Sequence, residues 1–171
     1  LNAQAVVRSA EAMGVDHVHI ITSQLRKNKG RKTASGSSRW VNIHWYEMFS
    51  EFRSRIGQQG FLLAGASLHG SLTLEQLPVE QPICLLLGNE NRGLSPEAAS
   101  ACDLLYRIPM YGMVESFNLS VSAGLSLDRL VRNRREYLKS GGDLSDEQRS
   151  LTRAKYFITA LGFNMARMIL D

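Results

Sequence analysis

The sequence predicts an α/β fold with a mainly parallel sheet and helices on both faces, and three observations carry that expectation. Phe61-Leu62-Leu63-Ala64-Gly65-Ala66 and Ile83-Cys84-Leu85-Leu86-Leu87 are continuous apolar runs without in-out alternation, as suits parallel strands covered on both sides. Segments with apolar residues at helical spacing stand between such runs. The order of the two kinds of segment, strand then helix in repetition, is that of α/β proteins.

Each element has its own warrant. In 2–14, Ala3, Val6, Val7 and Ala10 share one side of a helix, and Gly14 is placed to stop it. His17-Val18-His19-Ile20-Ile21 reads as a short strand. A connection rich in Gly and Ser then runs to about Arg39, and long connections of this kind are functional or disordered. Trp45, Met48, Phe49, Phe52 and Ile56 have the spacing of an amphipathic helix over 45–56, closed by Gly57 and Gly60. After the two apolar strands, Ser95-Pro96 opens a helix that reaches Ala101, with Ser95 as N-cap and proline in the first turn. Residues 104–108 form a further strand, and a long helix is expected over 116–138. Ser145-Asp146-Glu147-Gln148 has the form of a capping box and opens a C-terminal helix over 145–170.

At 171 residues the chain fits a single domain, 1–171, that buries a core without disulfides or metal. Because it begins at Leu1, its N-terminus is expected to be incomplete. No stretch approaches the roughly 18 apolar residues of a membrane span, and no basic-then-apolar start reads as a signal peptide. Cys84 and Cys102 are not a CxxC pair and read as free thiols of a reducing cytoplasm. His17, His19, His44 and His69 show no ligand spacing, so no metal is expected. The net charge of +4 is mild, but Arg26, Lys27, Lys29, Arg31, Lys32 and Arg39 fall in a loop over 25–39 without an acidic residue. Such a loop suits a polyanion, because cations laid along phosphates release condensed counterions; it equally suits a solvated loop.

Three segments carry groups able to do chemistry. Leu87-Gly88-Asn89-Glu90-Asn91-Arg92-Gly93-Leu94-Ser95 follows a strand, where ligands of open α/β sheets bind. Its glycines fit neither a Walker A loop nor GxGxxG. Ile108-Pro109-Met110-Tyr111-Gly112-Met113-Val114-Glu115-Ser116-Phe117-Asn118-Leu119-Ser120 joins a strand to the long helix, whose exposed N–H groups favour an anion. Asn2 and Arg8 project from neighbouring parts of one helix face, and arginine binds phosphate or carboxylate in a bidentate way. On residue chemistry alone, two strand-to-helix turns with caps account for the first two segments equally well.

Together they resemble one family. Asn2-x5-Arg8 with Ala10-Glu11-Ala12-x-Gly14 is similar to motif 1 of the SpoU/TrmH branch of knotted (SPOUT) methyltransferases. Leu86-Leu87-Gly88-Asn89-Glu90-x-Arg92-Gly93-Leu94 is similar to motif 2, and Ile108-Pro109-Met110-x-Gly112-x-x-x-Ser116-Phe117-Asn118-Leu119-Ser120-Val121-Ser122-Ala123 to motif 3, in the family's order. The resemblance implies a C-terminal deep trefoil knot, an exception to the rule that chains do not thread their loops. It implies S-adenosylmethionine as donor, transfer of methyl to a ribose 2′-hydroxyl of RNA, and a homodimer packed through the knot that the last helix joins. Carried over by position, Gly88, Ile108, Phe117, Leu87 and Met110 contact the donor, with Ala64 and Gly65 beside them; the family usually has leucine where Phe117 stands. Arg8 is the catalytic arginine, acting with Asn2, Glu90, Ser116 and Asn118.

Ala34-Ser35-Gly36-Ser37-Ser38-Arg39-Trp40-Val41 resembles a segment of the tRNA branch that methylates a D-loop guanosine, so tRNA is the preferred substrate and ribosomal RNA the alternative. The loop cations, with Arg129, Arg132, Arg134 and Arg135, are expected on phosphates, while Trp40 and Trp45 are assigned to packing or the dimer interface. A catalytically silent RNA-binding member, or a nucleotide-binding α/β protein matching by chance, is the reading from another class.

Overall fold

The structure, a computed structural model, describes residues 2–23, 36–162, 165, 168 and 169. The cations Arg26, Lys27, Lys29, Arg31 and Lys32, and part of the end of the C-terminal helix expected over 145–170, lie outside the described residues. The chain divides into two compact units, Leu1–Tyr137 and Leu138–Asp171.

In the first unit α1 (Asn2–Ala12) leads into β1 (His17–Ile21), and a 3-10 turn at Gly36–Arg39 precedes β2 (Asn42–Tyr46). Next come α2 (Phe49–Gly57), β3 (Leu62–Ala66), β4 (Leu72–Thr73), β5 (Ile83–Leu86), α3 (Pro96–Ser100) and β6 (Leu104–Arg107). The long helix α4 (Leu119–Leu138) completes this part, and α5 (Asp146–Leu161) belongs to the second unit. All pairings between named strands are parallel, in a two-stranded ribbon β1-β2 and a four-stranded sheet ordered β4-β6-β3-β5.

Both faces of the four-stranded sheet are covered, as the unalternating apolar runs require. On one side Leu63 and Leu86 join Phe52 and Ile56 of α2, Ala98 of α3 and Tyr46 of the ribbon in a single cluster, with Ile21 and Cys84 against it. On the other, Ala64, Leu74, Leu77 and Tyr106 pack with Leu130 of α4. Tyr106 is fully buried and its hydroxyl donates to Ser126 Oγ at 2.9 Å, which satisfies the polar atoms of both residues in the core. Burial pushes both cysteine thiols up to about 11, so they are protonated and inert at neutral pH.

Helix ends show local control. Gly14 adopts φ +77° just past α1 and donates its N–H to Glu11 O at 2.9 Å, the stop its position predicts. Ser95 Oγ accepts the N–H of Ala98 at 3.2 Å, and Ser145 Oγ that of Gln148 at 3.2 Å, so both caps form as expected.

Two boundaries differ from expectation. The helix expected over 45–56 begins at Phe49, and Trp45 and Tyr46 belong to β2, a strand the periodicity conceals. Trp45 and Met48 merely prolong the helical rhythm; the Glu51 carboxylate accepts the N–H of Glu47 at 3.1 Å and of Met48 at 3.4 Å and so sets the helix start. The long helix begins at Leu119 rather than near Ser116, because Asn118 Oδ1 accepts the Ser120 N–H at 2.9 Å and caps it.

No helix among the described residues is long and apolar enough to cross a membrane. Among those residues no group of three or more His, Cys, Asp and Glu side chains is arranged to hold a metal ion.

Candidate active site

Parallel strands point their carboxyl ends the same way, so the segments that follow β3, β5 and β6 are presented together at one edge of the sheet. After β5 the chain forms a tight turn in which Asn89 and Gly93 exchange backbone hydrogen bonds of 2.9 and 2.8 Å. Asn89 Oδ1 accepts the N–H of Asn91 at 2.9 Å. Gly93 sits at φ +64°, and a Cβ on Gly88 would lie 2.1 Å from the Gly93 carbonyl carbon. Gly88 is therefore required by its own turn, a local reason distinct from the approach of a ligand.

The turn presents Glu90 to two distant parts of the chain. Asn2 Nδ2, from the start of α1, donates to Glu90 Oε2 at 2.7 Å. Asn118 Nδ2 donates to the other oxygen, Glu90 Oε1, which also accepts the Leu119 N–H at 3.3 Å. Ser120 fixes the amide of Asn118, since its N–H and hydroxyl both donate to Asn118 Oδ1, at 2.9 and 2.6 Å. One carboxylate thus ties α1, the turn after β5 and the start of α4, elements drawn from the three motif segments.

Other candidate residues take different places. Arg8 is exposed on α1 and makes no hydrogen bond or ion pair with described residues. Ser116 is exposed and Phe117 is half-buried. Ile108, Pro109 and Met110 line an open pocket of about 510 Å³ together with Leu68, Arg107 and Glu115. Leu87 is half-buried at the end of β5. Ala64 and Gly65 do not reach this pocket. Ala64 is fully buried in the core, and a Cβ on Gly65 would meet Cys102 Sγ at 2.6 Å and Leu94 Cδ1 at 2.8 Å. Both stand inside the covered strand β3, and Leu68, beyond the strand's end, lines the pocket.

Arg39 is exposed, with its guanidinium 5.7 Å from the Trp40 ring centroid. The arginines of α4 are largely engaged within the chain. Arg129 pairs with Glu75 at 3.2 Å, Arg132 with Asp128 at 2.7 Å, and Arg134 donates to the Val79 carbonyl. Guanidiniums engaged in this way have fewer donors left for phosphate. Residues the sequence reading did not single out are Leu68 and Arg107, on the pocket wall, and Ser120, behind Asn118. Ser120 stood within the third motif; Leu68 and Arg107 had no motif to mark them.

A parallel α/β sheet with an open pocket and a polar cluster at its strand ends defines a ligand-binding protein of the doubly covered α/β class. A family model for the SpoU rRNA Methylase family matches residues 1–128, three quarters of the chain, and the chain belongs to that family. It is 32% identical over 159 residues to a tRNA (guanosine(18)-2′-O)-methyltransferase of Borreliella burgdorferi, covering 91% of this chain and 72% of that protein. Among solved structures it resembles the A. aeolicus TrmH/SpoU tRNA modifying enzyme, with a TM-score of 0.75, 28% identity, and coverage of 94% of this chain and 83% of that one. It also resembles the SpoU methyltransferase AviRb of Streptomyces viridochromogenes in complex with the cofactor AdoMet, with a TM-score of 0.70, 26% identity, and coverage of 79% and 56%.

Proposed function

We propose that this chain transfers a methyl group from S-adenosylmethionine to a ribose 2′-hydroxyl of RNA, with the D-loop guanosine of tRNA as preferred target. The observation that carries the reading is the meeting of Asn2, Glu90 and Asn118 on one carboxylate, from segments 88 and 28 residues apart. That cluster lies on loops of a fold whose relative named above acts on tRNA guanosine.

The pocket suits the donor. Leu68, Ile108, Pro109 and Met110 give an apolar lining for the adenosyl part and the methylene chain, and its volume of about 510 Å³ is of the size that small-molecule sites have. Gly88, Leu87 and Phe117 complete the donor contacts in this reading. When bound, S-adenosylmethionine supplies a methyl carbon made electrophilic by the sulfonium.

The chain's own residues must then position the ribose and manage its proton. Both oxygens of Glu90 accept hydrogen bonds, so Glu90 holds the three segments of the site together. Asn118 Oδ1 is likewise occupied by Ser120, which leaves Asn118 able only to donate. Arg8, on the same helix as Asn2, binds the phosphate next to the target ribose and, as a permanent cation, favours release of the 2′-proton to solvent, while Ser116 orients the hydroxyl. Positioning supplies most of the rate.

The same reading includes a C-terminal trefoil knot, one methyltransferase domain over 1–171, a homodimer and a cytoplasmic site of action. Support for the dimer is an exposed apolar surface at the start of α4 and the loop before it: Tyr111, Met113, Val114, Val121 and Leu125. Isolated apolar side chains at a surface are ordinary, whereas several exposed within one short stretch of chain are what a subunit interface would cover. The helix α5 also has no buried residue, and Leu151, Ile158 and Leu161 stand exposed on it.

The experiment is incorporation of labelled methyl into unmodified tRNA and ribosomal RNA, followed by mapping of the modified nucleotide. Label at a tRNA D-loop guanosine is expected. Label in ribosomal RNA alone would overturn the choice of target, and no label in either RNA would overturn the activity.

A further inference from the structure

The donor pocket carries one cation and one anion on an otherwise apolar wall. Arg107 is the last residue of β6, and Glu115 stands in the loop seven residues beyond Ile108. Neither makes an ion pair with described residues. Arg107 Nη1 donates to the Gly70 carbonyl at 2.6 Å and points toward that of Ser71 at 3.5 Å. This leaves Nε and Nη2 of a guanidinium with five donors.

The contact also makes the pocket wall firm. A Cβ on Gly70 would lie 2.3 Å from the Tyr106 carbonyl carbon, so the loop after β3 is seated directly on the backbone of β6. Its N–H groups are engaged as well, Gly70 to Ser67 O at 3.1 Å and Ser67 to Tyr106 O at 2.8 Å. Arg107 is therefore anchored at one edge of its fork and open at the other.

Two opposite charges beside an apolar surface are costly to cover unless the ligand brings charges to match. We propose that Arg107 and Glu115 select the donor by its zwitterionic amino-acid end, Arg107 receiving the α-carboxylate and Glu115 the α-ammonium. A planar carboxylate matches the guanidinium fork, and an ammonium with three donors matches a free carboxylate. The apolar residues accept the remainder of the molecule. This assignment rests on the donor reading above and adds the residues that discriminate among adenosyl compounds.

Calorimetry with the full chain tests it using three probes: S-adenosylmethionine, its decarboxylated form, and 5′-methylthioadenosine. The first carries both charged groups, the second only the ammonium, and the third neither. Wild type is expected to bind them in that order of falling affinity. Arg107→Gln keeps an amide able to reach Gly70 and removes the charge. It should weaken S-adenosylmethionine by about 10- to 100-fold, the range for a charge-assisted hydrogen bond, and leave the decarboxylated form nearly unchanged. Glu115→Gln should weaken both ammonium-bearing probes and leave methylthioadenosine alone. Arg107→Lys, which retains a cation, should recover part of the discrimination.

An equal loss for all three probes in Arg107→Gln would overturn the assignment and leave Arg107 as a loop anchor only. Unchanged discrimination in both glutamine variants would overturn it too, with the donor reading intact. Failure of wild type to bind any probe would overturn the donor reading and this assignment together.

Discussion

The ribbon β1-β2 and the four-stranded sheet are both parallel and share one core cluster, yet their chemistry is opposite. The sheet is apolar through its thickness: Leu63, Ala64 and Tyr106 are fully buried, and no charged side chain stands in its middle. The ribbon carries His17, His19 and His44 on one face, stacked with ring centroids 5.2 Å apart for His17–His44 and 4.7 Å for His19–His44. His17 Nδ1 and His44 Nε2 are 2.9 Å apart, close enough to share one hydrogen bond. Tyr46 extends the stack and lies 3.0 Å from His19 Nδ1 through its hydroxyl. The sheet carries the pocket proposed for the donor, whereas the ribbon supports α1, which packs on β1 and on the 3-10 turn and carries Asn2 and Arg8. In the proposed reading, donor binding and handling of RNA rest on regions that respond to different perturbations.

The sharpest way to break the comparison is at Arg8. Arg8→Ala should lower methyl transfer by about 10²- to 10⁴-fold, the usual worth of a group that manages a proton, while calorimetry finds donor affinity unchanged. Near-normal turnover would remove Arg8 from the reaction.

Next in size is the sheet side. Gly88→Ala places a methyl 2.1 Å from the Gly93 backbone, which cannot yield as a flexible side chain does. A loss of roughly 1–3 kcal/mol in urea unfolding, typical of overpacking, is expected together with weaker donor binding. A fully stable variant that binds normally would show the turn to be more adaptable than its geometry implies.

Glu90→Gln joins the two regions. It replaces an acceptor by an amide whose NH₂ faces the donors of Asn2 or of Asn118 and Leu119. Because the cluster is exposed, the expected loss in kcat is on the order of tenfold, near 1.4 kcal/mol, with little change in unfolding midpoint. A loss as large as that of Arg8→Ala would mean that Glu90 takes part in the proton transfer itself.

The smallest effect is the pH response of the ribbon. His19 is lowered to about 4, first by burial and then by the neighbouring His44, His17 and Arg55. His44 is also lowered, by burial and by Arg55 and His17, against an opposing pull from Asp16. Both folded values lie below the ordinary 6.5, so the stability these neutral rings lend is complete above 6.5 and is lost as pH falls toward about 4. The thermal midpoint should decline through that window, and His44→Gln should flatten the decline. Identical pH curves for the two proteins would show that the stack tolerates protonation.

Legibility in the sequence followed how local the cause was. His17–Ile21 is the strand expected residue for residue, and the caps at Ser95 and Ser145 formed as read, because each depends on a few neighbours. The strand Asn42–Tyr46 was hidden, since its partner lies across a long connection and its aromatic residues also fit the rhythm of the following helix. Ala64 and Gly65 show the same limit: an apolar Ala-Gly-Ala run looks the same whether it lines a ligand or a core, and only the fold shows Ala64 fully buried.

The sequence by itself determined the parallel α/β class, the three ordered motifs and the family to which the chain belongs, because apolar runs, caps and motif spacing are written along the chain. Only the tertiary structure decided that Glu90 is a shared acceptor for Asn2, Asn118 and Leu119, that Arg129 and Arg132 of α4 pair within the chain, and that Arg107 and Glu115 face one pocket. These are contacts between residues far apart in sequence, and a carboxylate or guanidinium has no fixed role until packing places its partners.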